Sequence, residues 1–203
     1  MGLLEYFGVR PKPEIYYYHT GPQFHPEVLA GRLREMIQEE EKKGKRGVVF
    51  LCIGTDRSTG DSLGPLIGYK LKEQERQTGC RRRAAVLGTL ERPVHAMNLE
   101  QYQEFVNRNF PGRIVVAVDA SIGSTEHVGY VTIGKGSLKP GLGVSKELNE
   151  VGDIFITGIV GGCGDFDPVM LQSVRLSIVM RMADCICESI FLVENLWDFS
   201  SAV

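Results

Sequence analysis

The chain has 203 residues, 43% of them hydrophobic, enough to bury a core without disulfide or metal staples, and its length favours one domain. Its 23 basic and 25 acidic residues leave a formal net charge of −2, which excludes a general electrostatic pull toward nucleic acid or a membrane surface. Cys52, Cys80, Cys163, Cys185 and Cys187 form an odd set without CxxC or Cys/His ligand spacing, which argues against a structural zinc or a disulfide framework and suits a reducing compartment.

In chain order, residues 1–25 hold PKP, the tyrosines Tyr16 to Tyr18 and two histidines without helical or alternating periodicity, and are expected to form an irregular arm. A single α/β domain is expected over 26–203. From Pro26 to Lys43, Val28, Leu29, Leu33, Met36 and Ile37 recur at helical spacing. The uninterrupted apolar run from Val48 to Ile53 predicts a strand buried on both faces of a parallel sheet. Leu63, Leu66, Ile67 and Leu71 then mark a helix to about Gln77, and Ala84–Gly88 is a second strand candidate. Asn98 can cap a helix through Val106, which Pro111-Gly112 closes before a third strand, Ile114 to Val118, ending in Asp119.

Residues 127–133 alternate apolar and polar, as expected of an antiparallel strand at an edge. Asp153 to Val160 returns to the buried pattern, and Pro168 to about Leu196 reads as one long helix with Leu171, Val174, Val179, Met182, Ile186 and Ile190 on its core stripe. Strands alternating with helices predict an α/β fold with helices on both faces of a mostly parallel sheet. In such sheets ligands sit beyond the carboxyl ends of the strands, where Asp61 and Asp119 fall. No charged segment followed by an apolar run opens the chain and no apolar run has the length of a membrane span, so a cytoplasmic location with no membrane partner is expected.

The loop Gly54 to Gly64 is glycine-rich, yet it lacks both the lysine of G-x-x-x-x-G-K-[ST] and a G-x-G-x-x-G fingerprint, and Asp56 and Asp61 put negative charge where a phosphate would sit. Asp61 suits an N-cap or first-turn position of a helix as well as a catalytic role. Asp119, ending an apolar strand, must be paired, must face a cleft, or must accept N–H bonds from the Ala120 to Gly123 segment read as a turn. Two neighbouring carboxylates can share a proton and supply one acid and one base at the same pH. They can also hold a divalent metal, but His19, His25, His95 and His127 lack ligand spacing to either, so no metal or other cofactor is favoured. The second glycine-rich loop, Gly136 to Lys146, is either a plain connection or a substrate-facing flap carrying Lys146. Cys163 in GGCGD has no base at a telling position, and Asp165 and Asp167 suit turn and capping roles.

Four segments carry a resemblance: Ile53-Gly-Thr-Asp-Arg-Ser-Thr-Gly-Asp-Ser-Leu-Gly-Pro65, Gly88-Thr-Leu-Glu-Arg-Pro-Val-His95, Lys139-Pro-Gly-Leu-Gly-Val144 and Val151-Gly-Asp-Ile-Phe-Ile-Thr-Gly-Ile159. Together they resemble the YyaC family of endospore-forming bacteria, grouped with spore proteases. More distantly, Asp61-Ser-Leu-Gly-Pro65, Asp119-Ala120 and Pro140-Gly-Leu-Gly-Val144 are similar to the spore germination protease and to the hydrogenase maturation proteases. The resemblance implies a three-layer α/β/α sandwich and Asp61 and Asp119 as catalytic residues. It further implies a cytoplasmic peptidase of sporulation or germination, in the forespore or mother cell, with a protein or peptide substrate such as a spore protein. Gly54, Thr55, Asp56, Lys146 and Gly158 are expected to line the substrate cleft. The alternatives are a peptide- or protein-binding module on the same fold that does not cut, and a metal-assisted maturation-type endopeptidase; the tyrosine-rich arm could also mediate a homo-oligomer.

Overall fold

The apolar run after residue 47 lies in the middle of a sheet, every residue of the strand Val48–Cys52 (β2) being buried. The computed structural model describes residues 14–79, 83–140, 149–162 and 169–197. The other strands are Ile15–His19 (β1), Ala85–Leu87 (β3), Ile114–Gly123 (β4), Tyr130–Lys135 (β5) and Ile154–Gly162 (β6). They form one six-stranded sheet in the order β1-β5-β6-β4-β2-β3. The ladders joining β3, β2, β4 and β6 are parallel, whereas β5 pairs antiparallel with both β6 and β1.

The helices are Pro26–Lys42 (α1), Leu63–Thr78 (α2), Leu99–Asn109 (α3), Val169–Ser173 (α4) and Leu176–Trp197 (α5). Leu29, Leu33 and Ile37 of α1, Ile67 and Leu71 of α2, and Val179, Met182 and Ile186 of α5 pack on the sheet face that carries Phe50, Val116, Val118 and Ile156. On the other face Leu99 and Tyr102 of α3, with Val94, Leu138 and Val151, cover Leu51, Ile53 and Ala117. The result is a three-layer α/β/α arrangement around a mostly parallel sheet.

Four expectations need correction. The arm over 1–25 is not irregular throughout, because Ile15–His19 pairs with β5 from Ile15↔Gly134 to His19↔Tyr130. Three consecutive tyrosines hide the period of two, which appears only when Tyr16 and Tyr18 pack on the core while Tyr17 stays exposed. With β1 in place, β5 is not an edge; it also starts later than expected, since Thr125–His127 is a turn of 3-10 helix. The long C-terminal helix is two, α4 and α5, meeting at Val174 and Arg175, which lets Leu171 and Val174 lie against Gly60. Finally, β4 does not stop at Val118 but continues to Gly123, held by β6 beyond the end of β2.

Candidate active site

At the end of β2 the chain keeps its register for one more residue, as Ile53 bridges Val94 and donates its N–H to the Val118 carbonyl at 2.7 Å. Gly54 then turns with φ +138°, its N–H bonded to the Val94 carbonyl at 2.7 Å. A Cβ here would lie 2.0 Å from the Asp61 carbonyl oxygen, so only glycine allows the loop to close on itself. The loop is sealed when the Thr55 N–H donates to the Asp61 carbonyl at 3.0 Å. Gly64 completes the join: its Cα approaches so near the strand end that a Cβ would meet the Ile53 oxygen at 2.0 Å. The first turn of α2 therefore rests directly on β2, with Asp61 in the short 3-10 turn Gly60–Ser62 just before it. Asp61 is not the N-cap of α2; Ser62 occupies that position and makes no side-chain cap bond.

Asp119 follows Val118 on β4, and strand alternation turns it to the face shared by Ala117, away from the α1/α2/α5 layer. It stands one residue past the last β2 pair, Cys52↔Val118, and opposite Thr157 on β6. The residue is 6% exposed, and its carboxyl Oδ1 accepts the Ala120 N–H at 2.8 Å. The turn expected over Ala120 to Gly123 is strand instead, with a bulge against β6 between Ser121 and Ile122. Such a bulge changes which side chains a strand end presents, and here Ala120, Ser121 and Ile122 all border the site.

Asp61 and Asp119 line one cavity of about 650 Å³ at the carboxyl ends of β2 and β4. Gly54, Thr55 and Asp56 line it as expected from the sequence. So does His95, which the sequence reading set aside because it has no ligand spacing to either aspartate. Its position in the Gly88–His95 motif was the available signal, and the Ile53–Val94 bridge explains the placement by laying the motif's end beside β2. The wall also carries apolar groups, among them Leu90, Pro93, Ile122 and the 78% exposed Met97. Gly158 does not border the cavity. It is buried in β6 where a Cβ would strike Leu63 at 2.3 Å and Met182 at 3.1 Å, so it serves close packing of the α2 start and α5 on the sheet. Lys146, Cys163, Asp165 and Asp167 lie outside the described residues, although Pro140, within the second glycine-rich loop, reaches the cavity wall.

Burial and mutual charge set the proton affinities. Burial pushes the Asp119 carboxyl well above the usual carboxylate range, the Asp61 charge pushes it further, and the Ala120 N–H only partly offsets both. Asp61 is also raised by burial, but the Thr55 backbone N–H and the His95 ring pull it back. A buried acid beside a less buried one divides the pair into a group that keeps its proton and a group that gives it up more readily. Among the described residues, no group of three or more His, Cys, Asp or Glu side chains could hold a metal ion. No described helix is long and apolar enough to cross a membrane.

The family model described as "Protein of unknown function (DUF1256)" matches residues 25–189, from the start of α1 into α5. The chain belongs to that family. It is also 45% identical over 173 residues to "Uncharacterized protein YyaC" of Bacillus subtilis (strain 168), covering 84% of this chain and 82% of the relative. The matched span of the DUF1256 family contains Asp61, His95 and Asp119 together with every strand except β1.

Proposed function

We propose that this member of the DUF1256 family is a hydrolase of peptide bonds that works through its paired aspartates. The observation that carries the reading is that Asp61 and Asp119 share one cavity and interact through their charges, Asp119 being the more strongly raised. In the proposed reaction the Asp61 carboxylate takes a proton from a water molecule as its oxygen attacks the amide carbon, and Asp119 donates its proton to the carbonyl oxygen. Collapse of the tetrahedral intermediate breaks the C–N bond as Asp61 gives the water-derived proton to the leaving nitrogen and Asp119 takes back the proton of one hydroxyl, so that amine and acid are released and both aspartates regain their starting forms. The apolar wall, with Met97 at 78% exposure, suits the side chains of a polypeptide. The motif resemblance supports a spore protein as substrate and a cytoplasmic role in sporulation or germination.

The test is to incubate the protein with spore-protein extract beside the Asp61→Asn/Asp119→Asn double variant and to search for new peptide termini by mass spectrometry. Termini that depend on the aspartates are expected; an identical peptide population in both samples rejects the peptidase. The 6% exposure of Asp119 favours a second reading, a module that binds a peptide without cutting it. That reading predicts saturable binding of extract peptides and no product. Activity abolished by a chelator and restored by divalent ions would instead identify a metal-assisted endopeptidase.

A further inference from the structure

We propose that His95 is a positioning residue of the acid pair: from the loop after β3 it holds Asp61 as the carboxylate, so that the shared proton resides on Asp119. The geometry begins with strand order. Three adjacent parallel strands, β3, β2 and β4, each bring a member of this group to the same cavity, two from the loops that follow β3 and β2 and one from β4 itself. His95 follows β3, Asp61 follows β2 and Asp119 lies on β4, so Asp61 comes between the ring and the second acid in the order of the sheet. The electrostatics follow that order, since Asp61 feels the His95 ring while the charge acting on Asp119 is that of Asp61.

Backbone and ring of His95 are both tied to the segment that starts α3. The His95 N–H donates to Asn98 Oδ1 at 2.8 Å, its carbonyl accepts the N–H groups of Asn98 and Leu99 at 3.0 and 2.9 Å, and its Nδ1 accepts the Met97 N–H at 3.3 Å. With Nδ1 used as an acceptor, the ring proton of the neutral imidazole belongs on Nε2, leaving that nitrogen as a hydrogen-bond donor. Both groups line the same cavity, and the electrostatic pull of the ring on the Asp61 carboxyl favours an ionised Asp61 and leaves the pair's proton on the more buried partner. Among the described residues, the remaining charged side chains on the wall, Asp56 and Arg57, belong to the loop after β2 and are exposed, where solvent weakens their influence. Apart from Asp119, the wall residues from β4 and α4, such as Ser121 and Gln172, are not ionisable.

The assignment of the base rests on the peptidase reading, but the proton distribution does not, and the experiment separates them. Aspartate carboxyl carbons are labelled with ¹³C, the Asp61 and Asp119 signals assigned with the Asp61→Asn and Asp119→Asn proteins, and both titrated by NMR in the wild type, His95→Phe and His95→Ala. Both His95 variants lack the donor, and alanine accommodates the site if phenylalanine does not. The Asp61 midpoint is expected to rise in each, narrowing its separation from Asp119. His95→Gln, which restores a donor, should return it part of the way. If turnover is found, Phe and Ala should lower kcat by about tenfold or more and move the acidic limb of the pH profile upward, with glutamine rescuing part of both. An Asp61 midpoint equal to that of the wild type in either folded variant overturns the proposal and leaves His95 a structural residue at the start of α3. Changed titrations without any cleavage by the wild type would keep it and remove the peptidase instead.

Discussion

Asn98 holds His95 from behind: its Oδ1 accepts the His95 N–H at 2.8 Å while its Nδ2 donates to the Pro93 carbonyl at 3.1 Å. Asn98 stands at the N-cap of α3, yet it makes no side-chain cap bond to that helix and ties the preceding loop instead. Asn98→Ala removes both bonds and should cost about 1–3 kcal/mol in urea unfolding. Loss of the loop's fixed geometry should also broaden the His95 ring signals in NMR spectra, and sharp, unmoved signals would show that the clamp is dispensable.

Asp119 makes the stability of the protein depend on pH in a specific direction. Because its proton affinity is raised in the fold, the folded chain holds that proton more firmly than the unfolded chain does. Its contribution to stability is therefore fully present below the ordinary carboxyl range and is lost as pH rises through the raised midpoint. Asp119→Asn has no such loss, so it should melt above the wild type at about pH 8 and lose that advantage at about pH 4. Calorimetry reads the difference at about 2–4 °C per kcal/mol for a chain of this size.

The proposed reaction requires an ionised Asp61 and a protonated Asp119, so its rate should follow a bell-shaped pH profile. Both limbs should lie above the range of an ordinary carboxyl, because burial raises both groups. Each single Asp→Asn variant should lose about 10²–10⁴-fold in turnover while its circular dichroism spectrum stays unchanged. Full turnover in either variant would exclude that residue from the chemistry.

Gly64 should resist substitution more than an ordinary helical glycine. An added methyl must displace either the Ile53 carbonyl or the first turn of α2, the turn that follows Asp61. Gly64→Ala is expected to destabilise by about 1–3 kcal/mol, measured by urea titration. A neutral result would mean that the α2 start can slide away from β2 at little cost.

Deleting the first 20 residues removes β1 and exposes the edge of β5, whose partners there are Ile15 to His19. Unpaired strand edges recruit other chains, so the shortened protein should self-associate at concentrations where the full chain does not. Light scattering distinguishes the two, and an unaltered scattering mass would show that β1 is not needed to protect that edge.

The amino-acid order alone determined which segments are strands and which are helices wherever one period dominates. Val48 to Ile53 and Ile114 to Val118 have no polar face to expose, and α1 repeats its apolar residues at helical spacing, so these elements and the parallel sheet followed. It also marked Asp119, since a carboxylate ending a strand run of Val and Ile has few benign explanations, and it placed Asp61 in the loop beyond the first buried strand. Only the tertiary structure decided what depends on residues far apart in the chain. β1 is a strand because β5 offers it an edge, and Gly158 is a packing residue because Leu63 and Met182 press against it. His95 joins the site because Val94 bridges Ile53 across 41 sequence positions. Periodicity reports the face a residue needs, whereas its neighbours across a cavity are set by strand order, which local sequence does not encode.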